Sequence, residues 1–240
     1  MTTFSIPGNA IQRLSRLALA ADTTAPGPIS HIALRVTASA ARFTATNGRL
    51  LASLLLPITD LSGEPSDCIL DRGQYTAAWK LLGKSTTRSV LFSIEKGETR
   101  VSIGSVSAVI RCHDATYPAI DHIWTRTAGK QWVPTAASLD PDLAATAQRI
   151  AGSSRILFNS PVSPESGLHR LWSAMDVGAF PEQDAIPSLS SLQVLLRAPA
   201  YFCDNDLALL VMPVTRAAEE RQLDLSAFAC LPAPATAIAA

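Results

Sequence analysis

Charge of either sign is scarce in this chain. Its 20 Lys and Arg balance 20 Asp and Glu, so the formal net charge is zero. A protein held to nucleic acid by bulk charge would be strongly basic, so any contact with phosphates must come from uneven placement. Aromatics make up only 6% of the 240 residues, which leaves Leu, Ile, Val and Ala to fill the interior. The 48% apolar content excludes wholesale disorder. Cysteine is also sparse. Cys68, Cys112, Cys203 and Cys230 form no CxxC pair, which argues against a zinc knuckle or a disulfide framework and for buried free thiols.

Long hydrophobic runs are missing too. The stretch from Leu50 to Ile58 is broken by Ser53 and falls far short of the roughly 20 residues of a membrane helix. Met1 to Gly8 has neither a basic nor an apolar leader segment. A soluble cytoplasmic protein with no membrane partner is the expectation. Catalytic signatures are absent as well: no GxSxG, P-loop, GxGxxG or HExxH occurs. His31, His113, His122 and His169 are dispersed, and His113-Asp114 ends a strand without helical co-ligands. No catalytic residue, metal or cofactor is expected, and the protein reads as a non-enzyme.

What is present is an ordered alternation of elements. Phe4 to Ile6 reads as a strand, with Asn9 a candidate cap for a helix over 10–21 that buries Ile11, Leu14, Ala18 and Ala21. A strand follows from His31 to Val36, then a hairpin of 41–46 and 49–56 around Asn47-Gly48, a loop over 57–66 and a short strand at 68–70. Asp71 caps a second helix over 72–84, with Tyr75, Ala78 and Leu82 inward. Strands at 90–94, 99–103 and 106–112 complete the series. The order is two βαβββ halves, an internal repeat pointing to an α+β fold with helices packed on one face of antiparallel sheets. Further on, Asp140-Pro141 starts a helix reaching about Ala151, where Gly152 ends it. Strands are expected at 155–158, 192–197 and 207–211.

Two stretches stand out. Ala45-Thr46-Asn47-Gly48-Arg49-Leu50-Leu51-Ala52 is a strand–turn–strand, and Leu210-Val211-Met212-Pro213-Val214 is an apolar strand closed by a proline. Together, in this order, they resemble the bacterial DNA polymerase III beta subunit, the sliding clamp. That family carries an ATDG-type turn in its middle domain and ends in a VMPM-type strand; Asn47 stands where the family has Asp. Tyr117-Pro118 is similar to the segment that closes clamp domains. The resemblance covers most of residues 1–216, as a shortened member with the second and third clamp domains. It implies a DNA-clamp-like domain at 1–124, a linker at 125–130, a second, shorter clamp-like domain at 131–216 and a tail at 217–240, partly disordered by its Pro/Ala composition.

The resemblance also implies sites. The helices of a clamp line its hole and face double-stranded DNA, which here selects Arg13, Arg16, Arg72, Lys80, Lys84, Arg88, Arg149 and Arg155. A clamp's peptide-binding pocket maps to Thr46, Gly48, Arg49, Leu51, Val211, Met212, Pro213 and Val214. The tail segment Gln222, Leu223, Asp224, Leu225 and, two residues further on, Phe228 is similar to the peptide that such pockets accept. The implied function is a non-catalytic DNA replication or repair accessory that tethers a DNA polymerase or other clamp-binding proteins to DNA, with a clamp loader among the candidate partners. Three two-domain copies would close a six-domain homo-oligomeric ring. The alternative is a clamp-derived interaction module that does not encircle DNA and binds a host clamp or its clients.

Overall fold

The structure is a computed structural model that describes residues 1–24, 26–83, 87–120, 140–153, 200–203 and 206–211. The fold is α+β: an antiparallel sheet curls around a core capped by helices on one face. The strands are β1 (Thr2–Ile6), β2 (Ile32–Val36), β3 (Ala40–Thr46), β4 (Leu50–Pro57), β5 (Thr59–Ser62), β6 (Asp67–Leu70), β7 (Val90–Glu95), β8 (Glu98–Ile103), β9 (Val106–His113), β10 (Ala200–Cys203) and β11 (Leu207–Val211). The α-helices are α1 (Ile11–Leu17), α2 (Arg72–Leu82) and α3 (Pro141–Ala151). Among the described residues the spatial order is β10-β11-β4-β3-β2-β6-β9-β8-β7-β1-β5.

The two βαβββ halves are built by exchange. The first strand of each half leaves its own meander and pairs with the other's: β1 lies against β7, and β6 against β2. The halves meet at two seams. At one, the end of β9 continues past β8 to pair with β6, Leu70 opposite Cys112. At the other, β4 runs through Ile58 into β5, which turns onto β1. Residues 57–66, expected as a loop, therefore include a strand. Its polar Thr-Asp-Leu-Ser sequence has no apolar alternation, and pairing with β1 supplies the order.

Helices α1 and α2 pack against each other, α1 over β3 and β4, α2 over β8 and β9. Their inward side chains join Phe4, Phe43 and Phe92, with Phe4 and Phe92 stacked at 4.9 Å and Trp79 tilted onto Phe92 at 6.2 Å. Burying such rings, at about 25 cal/mol per Å² of apolar surface, is the main stabilising term. The Tyr75 hydroxyl donates to the Leu14 carbonyl at 2.9 Å and ties α2 to α1.

Helix limits follow local chemistry. The Asp71 carboxylate accepts the Gln74 N–H at 2.8 Å, and Gly83, at φ +88°, ends α2. Asp140 caps α3 by accepting from Asp142 and Leu143, and Gly152 closes it in the left-handed region. Asn9 does not cap α1: residues Gly8–Ala10 wind as a 3-10 turn, and no side chain caps the helix start. The 10–21 helix is a seven-residue α-helix flanked by 3-10 turns. No helix of the described residues is long and apolar enough to cross a membrane. The expected strands at 155–158 and 192–197, the 125–130 linker and the 217–240 tail lie outside the described residues.

Candidate functional site

The β3–β4 hairpin turn satisfies its own polar groups. Asn47 Oδ1 accepts the N–H groups of Arg49 (2.9 Å) and Leu50 (2.7 Å), in the manner of an Asx turn. Thr46 Oγ1 donates to the Leu50 carbonyl at 2.8 Å and accepts from Gly48 N–H at 3.1 Å. Gly48 has φ +80°, which glycine adopts without steric cost. The turn is three residues long, since β4 begins at Leu50 and not at Arg49.

Strand β11 lies antiparallel along β4, with Leu210 opposite Leu51 and Val211 opposite Leu50. The hairpin and the closing strand are thus side by side. Strand alternation then sorts the expected pocket residues. Thr46, Leu51 and Leu210 form one cross-strand row on the face away from the helices. Val211 shares the opposite, core face with Leu50, where both are fully buried. Leu210 is the neighbour that the sequence reading left out; the period of two and the register would have found it. Thr46 and Leu51 are themselves buried, and Arg49 is exposed. Met212, Pro213 and Val214 lie outside the described residues, as do Gln222, Leu223, Asp224, Leu225 and Phe228.

A second tie reaches the same turn. Arg49 Nη2 donates to Asp140 Oδ2 at 2.8 Å, while Asp140 Oδ1 holds the α3 cap. The Asp142 N–H first, then Leu143 N–H and the Arg49 guanidinium, hold the Asp140 carboxyl below the usual aspartate range. Helix α3 packs its Leu143, Ala147 and Ile150 face towards α1 and β11.

The cations expected to face DNA divide into two groups. Arg13 forms an ion pair with Asp206 just before β11, and Arg72 Nε donates to the Ala18 carbonyl at 3.2 Å. Both join elements of the fold. The Arg16 guanidinium lies against Gly152 at the C-terminal end of α3, where the helix dipole favours positive charge. Together with Arg149, Gln148 and Ser153 it lines a shallow cleft between α1 and α3. Lys80 and Arg149 are exposed on their helices, and Arg88 sits beside the β8–β9 turn near Gly104. Lys84 and Arg155 lie outside the described residues.

Two clusters went unseen in the sequence. Cys68 and Cys112 approach one another around Thr99 Oγ1, which is 3.2 Å from the Cys112 sulfur. The Cys68 hydrogen bond lowers the Cys112 thiol to about 7, while the same bond and burial raise Cys68. Both are half-buried in a cleft of about 760 Å³ beneath residues 114–120. The histidines are not all dispersed: His31 and His113 stack at 3.9 Å beside Asp71. Burial first, then the His113 charge, pushes the His31 imidazole down. Burial works to raise the Asp71 carboxyl, but the Gln74 amide and the two imidazoles together hold it below its usual value. His122 and His169 lie outside the described residues.

No protein-family model matches the chain. No curated protein matches it in sequence. Solved structures do match. A putative DNA polymerase III beta subunit from Eubacterium rectale aligns over 90% of this chain and 66% of its own, at 10% identity and a TM-score of 0.55. A DNA polymerase sliding clamp from Pseudomonas aeruginosa aligns over 88% and 66%, at 17% identity and 0.52. A Helicobacter pylori beta clamp bound to a DNA ligase peptide aligns over 92% and 68%, at 10% identity and 0.52. The chain spans about two thirds of the length of these clamps. At such identities the shared property is the fold, and that fold is the one seen in bacterial DNA sliding clamps.

Proposed function

We propose that this protein is a non-catalytic, sliding-clamp-like accessory of DNA replication or repair that works in the cytoplasm and tethers partner proteins to double-stranded DNA. One observation carries the reading: β11 lies along β4 with Leu210 opposite Leu51, beside the Thr46–Arg49 turn. That sets Leu210 and Val211, which open the second clamp-like stretch, beside the first. The H. pylori clamp of the same fold binds a DNA ligase peptide, which supports a peptide site here. Its walls would come from Thr46, Gly48, Arg49 and Leu51, from Leu210 and Val211, and from Met212, Pro213 and Val214. Lys80, Arg149 and the Arg16 cleft would face phosphates through water, with no base readout. The units at 1–124 and 131–216 would be its two clamp domains.

An open strand edge supports self-assembly. Strand β4 takes β11 along Leu50–Leu54. The corresponding edge of β9, in the other half of the repeat, is taken by β6 only at Cys112 and His113, and its Val106–Ile110 stretch has no partner strand on that side among the described residues. There Ser107 and Val109 point their backbone groups outward, on the parity of Arg111, whose N–H goes to Gln74 Oε1 at 2.6 Å. A second copy adding a strand at this edge would close a ring by heterologous contacts. Light scattering is expected to show a trimer, and Val109→Pro to reduce it to monomer while keeping the circular dichroism spectrum. Retention on nicked circular DNA, with release on linearisation, tests encirclement. A monomer at every concentration with no retention, even with a clamp loader, sinks the ring.

A second reading has its own support. Arg13 and Arg72 are spent on internal contacts and the net charge is zero, which favours an interaction module that binds a host clamp or its clients without encircling DNA. Capture of a bacterial clamp through the 222–228 segment, lost with Leu225→Ala and Phe228→Ala, would select it.

A further inference from the structure

His31, Asp71 and His113 are 40 or more positions apart, yet the sheet brings them to one point. His31 immediately precedes β2, Asp71 immediately follows β6 and caps α2, and His113 ends β9. Because β6 runs between β2 and β9, with Ile32 opposite Leu70 and Ile69 opposite His113, all three side chains emerge at the same end of neighbouring strands. One donor atom from each lies within 4.8 Å of the other two.

We propose that His31, Asp71 and His113 form a binding site for a divalent transition-metal ion of borderline softness, with zinc the best fit. Two imidazoles and one carboxylate suit zinc and its neighbours; magnesium and calcium need more oxygen ligands than one carboxylate supplies. The distances fit. Donors about 2.0–2.1 Å from a tetrahedral zinc lie about 3.4 Å apart. Here Asp71 Oδ2 is 3.1 Å from His113 Nε2 and 3.8 Å from His31 Nδ1.

The division of labour within Asp71 also fits. Oδ1 accepts the Gln74 N–H, which fixes the carboxylate, and Oδ2 faces both imidazoles. The Arg72 N–H donates to His31 Nδ1 at 3.4 Å, a long bond that an ion taken at that nitrogen would replace. The rings are stacked with planes 24° apart. Both in-plane lone pairs must converge on one ion, so binding splays the rings by rotation about χ2. The three side chains are each between a fifth and a third exposed, which gives an ion a path in and leaves a fourth position for water. A bound ion would fasten the starts of β2 and α2 to the end of β9, at the seam between the two halves.

Isothermal titration of the full chain with zinc chloride is expected to show one site, weakened at least tenfold in His31→Gln and in His113→Gln and retained in a Cys68→Ser, Cys112→Ser variant. Cobalt(II) should give tetrahedral d–d bands with no thiolate charge-transfer band. Wild-type imidazole resonances of His31 and His113 should move on zinc addition, as the stacked rings separate; this arm needs no substitution. The thermal midpoint should rise with zinc in wild type and not in the histidine variants. Zinc affinity in wild type no greater than in the histidine double variant, a thiolate band in the cobalt spectrum, or unmoved His31 and His113 resonances would each overturn the assignment.

Discussion

Arg49 and Asp140, 91 residues apart, share a 2.8 Å hydrogen bond that fastens the β3–β4 turn to the first turn of α3. The same carboxylate caps that helix, so one aspartate holds both the helix start and its attachment. Its carboxyl is held below the ordinary aspartate value, which sets a sign. A depressed carboxyl stabilises the fold above its unfolded pKa, about 3.9. That contribution fades as pH falls through the lower folded value. Protection of the Leu143–Ile150 amides, measured against their intrinsic exchange at each pH, should therefore fall below about pH 4 before that of the main sheet. Asp140→Asn keeps an N-cap acceptor but removes the charge, and should flatten this acid dependence. An unchanged acid profile would disconnect Asp140 from α3 docking.

Gly48 has φ +80° with open space where a side chain would begin. Gly48→Ala should then cost backbone strain alone, about 1–2 kcal/mol. Gly48→Asn should cost less, because Asn tolerates the left-handed region. Urea midpoints of the three proteins give the ranking directly; equal losses would point to a steric clash that the geometry does not contain.

Phe92 lies at the centre of the aromatic cluster, fully buried between Phe4, Phe43 and Trp79. Phe92→Ala should destabilise by about 3–5 kcal/mol, as ring deletions in close-packed cores do. Leu91, next in sequence but 45% exposed, provides the contrast: Leu91→Ala should change stability by no more than about 0.5 kcal/mol. Chemical denaturation resolves the two, and comparable effects would mean that the strand faces are assigned the wrong way round.

Lys80 and Arg149 are exposed on α2 and α3, whereas Arg13 is committed to Asp206. Lys80→Glu with Arg149→Glu should abolish salt-sensitive DNA retention and leave the thermal midpoint within a few degrees. Arg13→Ala should act in the other direction, lowering stability by about 0.2–1 kcal/mol through the lost ion pair. Retention assays on circular DNA, run beside thermal melts, separate a phosphate contact from a structural one.

Much was legible in the residues because the signals are local. Asp71 and Asp140 announce helix starts through bonds to amides two or three positions on, Gly83 and Gly152 announce helix ends through positive φ, and Asn47-Gly48 announces a turn. Alternation marked β1 and β2, and the repeated order of elements marked two halves. Those features determine the elements, their order and the core faces. Pairing partners are another matter, because a strand's sequence carries its periodicity and not the identity of its neighbour. Only the tertiary structure exchanged β1 and β6 between halves, turned 59–62 into a strand, set Leu210 beside Leu51 while sending Val211 to the core, drew Arg13 to Asp206 and stacked His31 on His113. Each depends on a register between distant segments, and a shift of one residue would reverse every face.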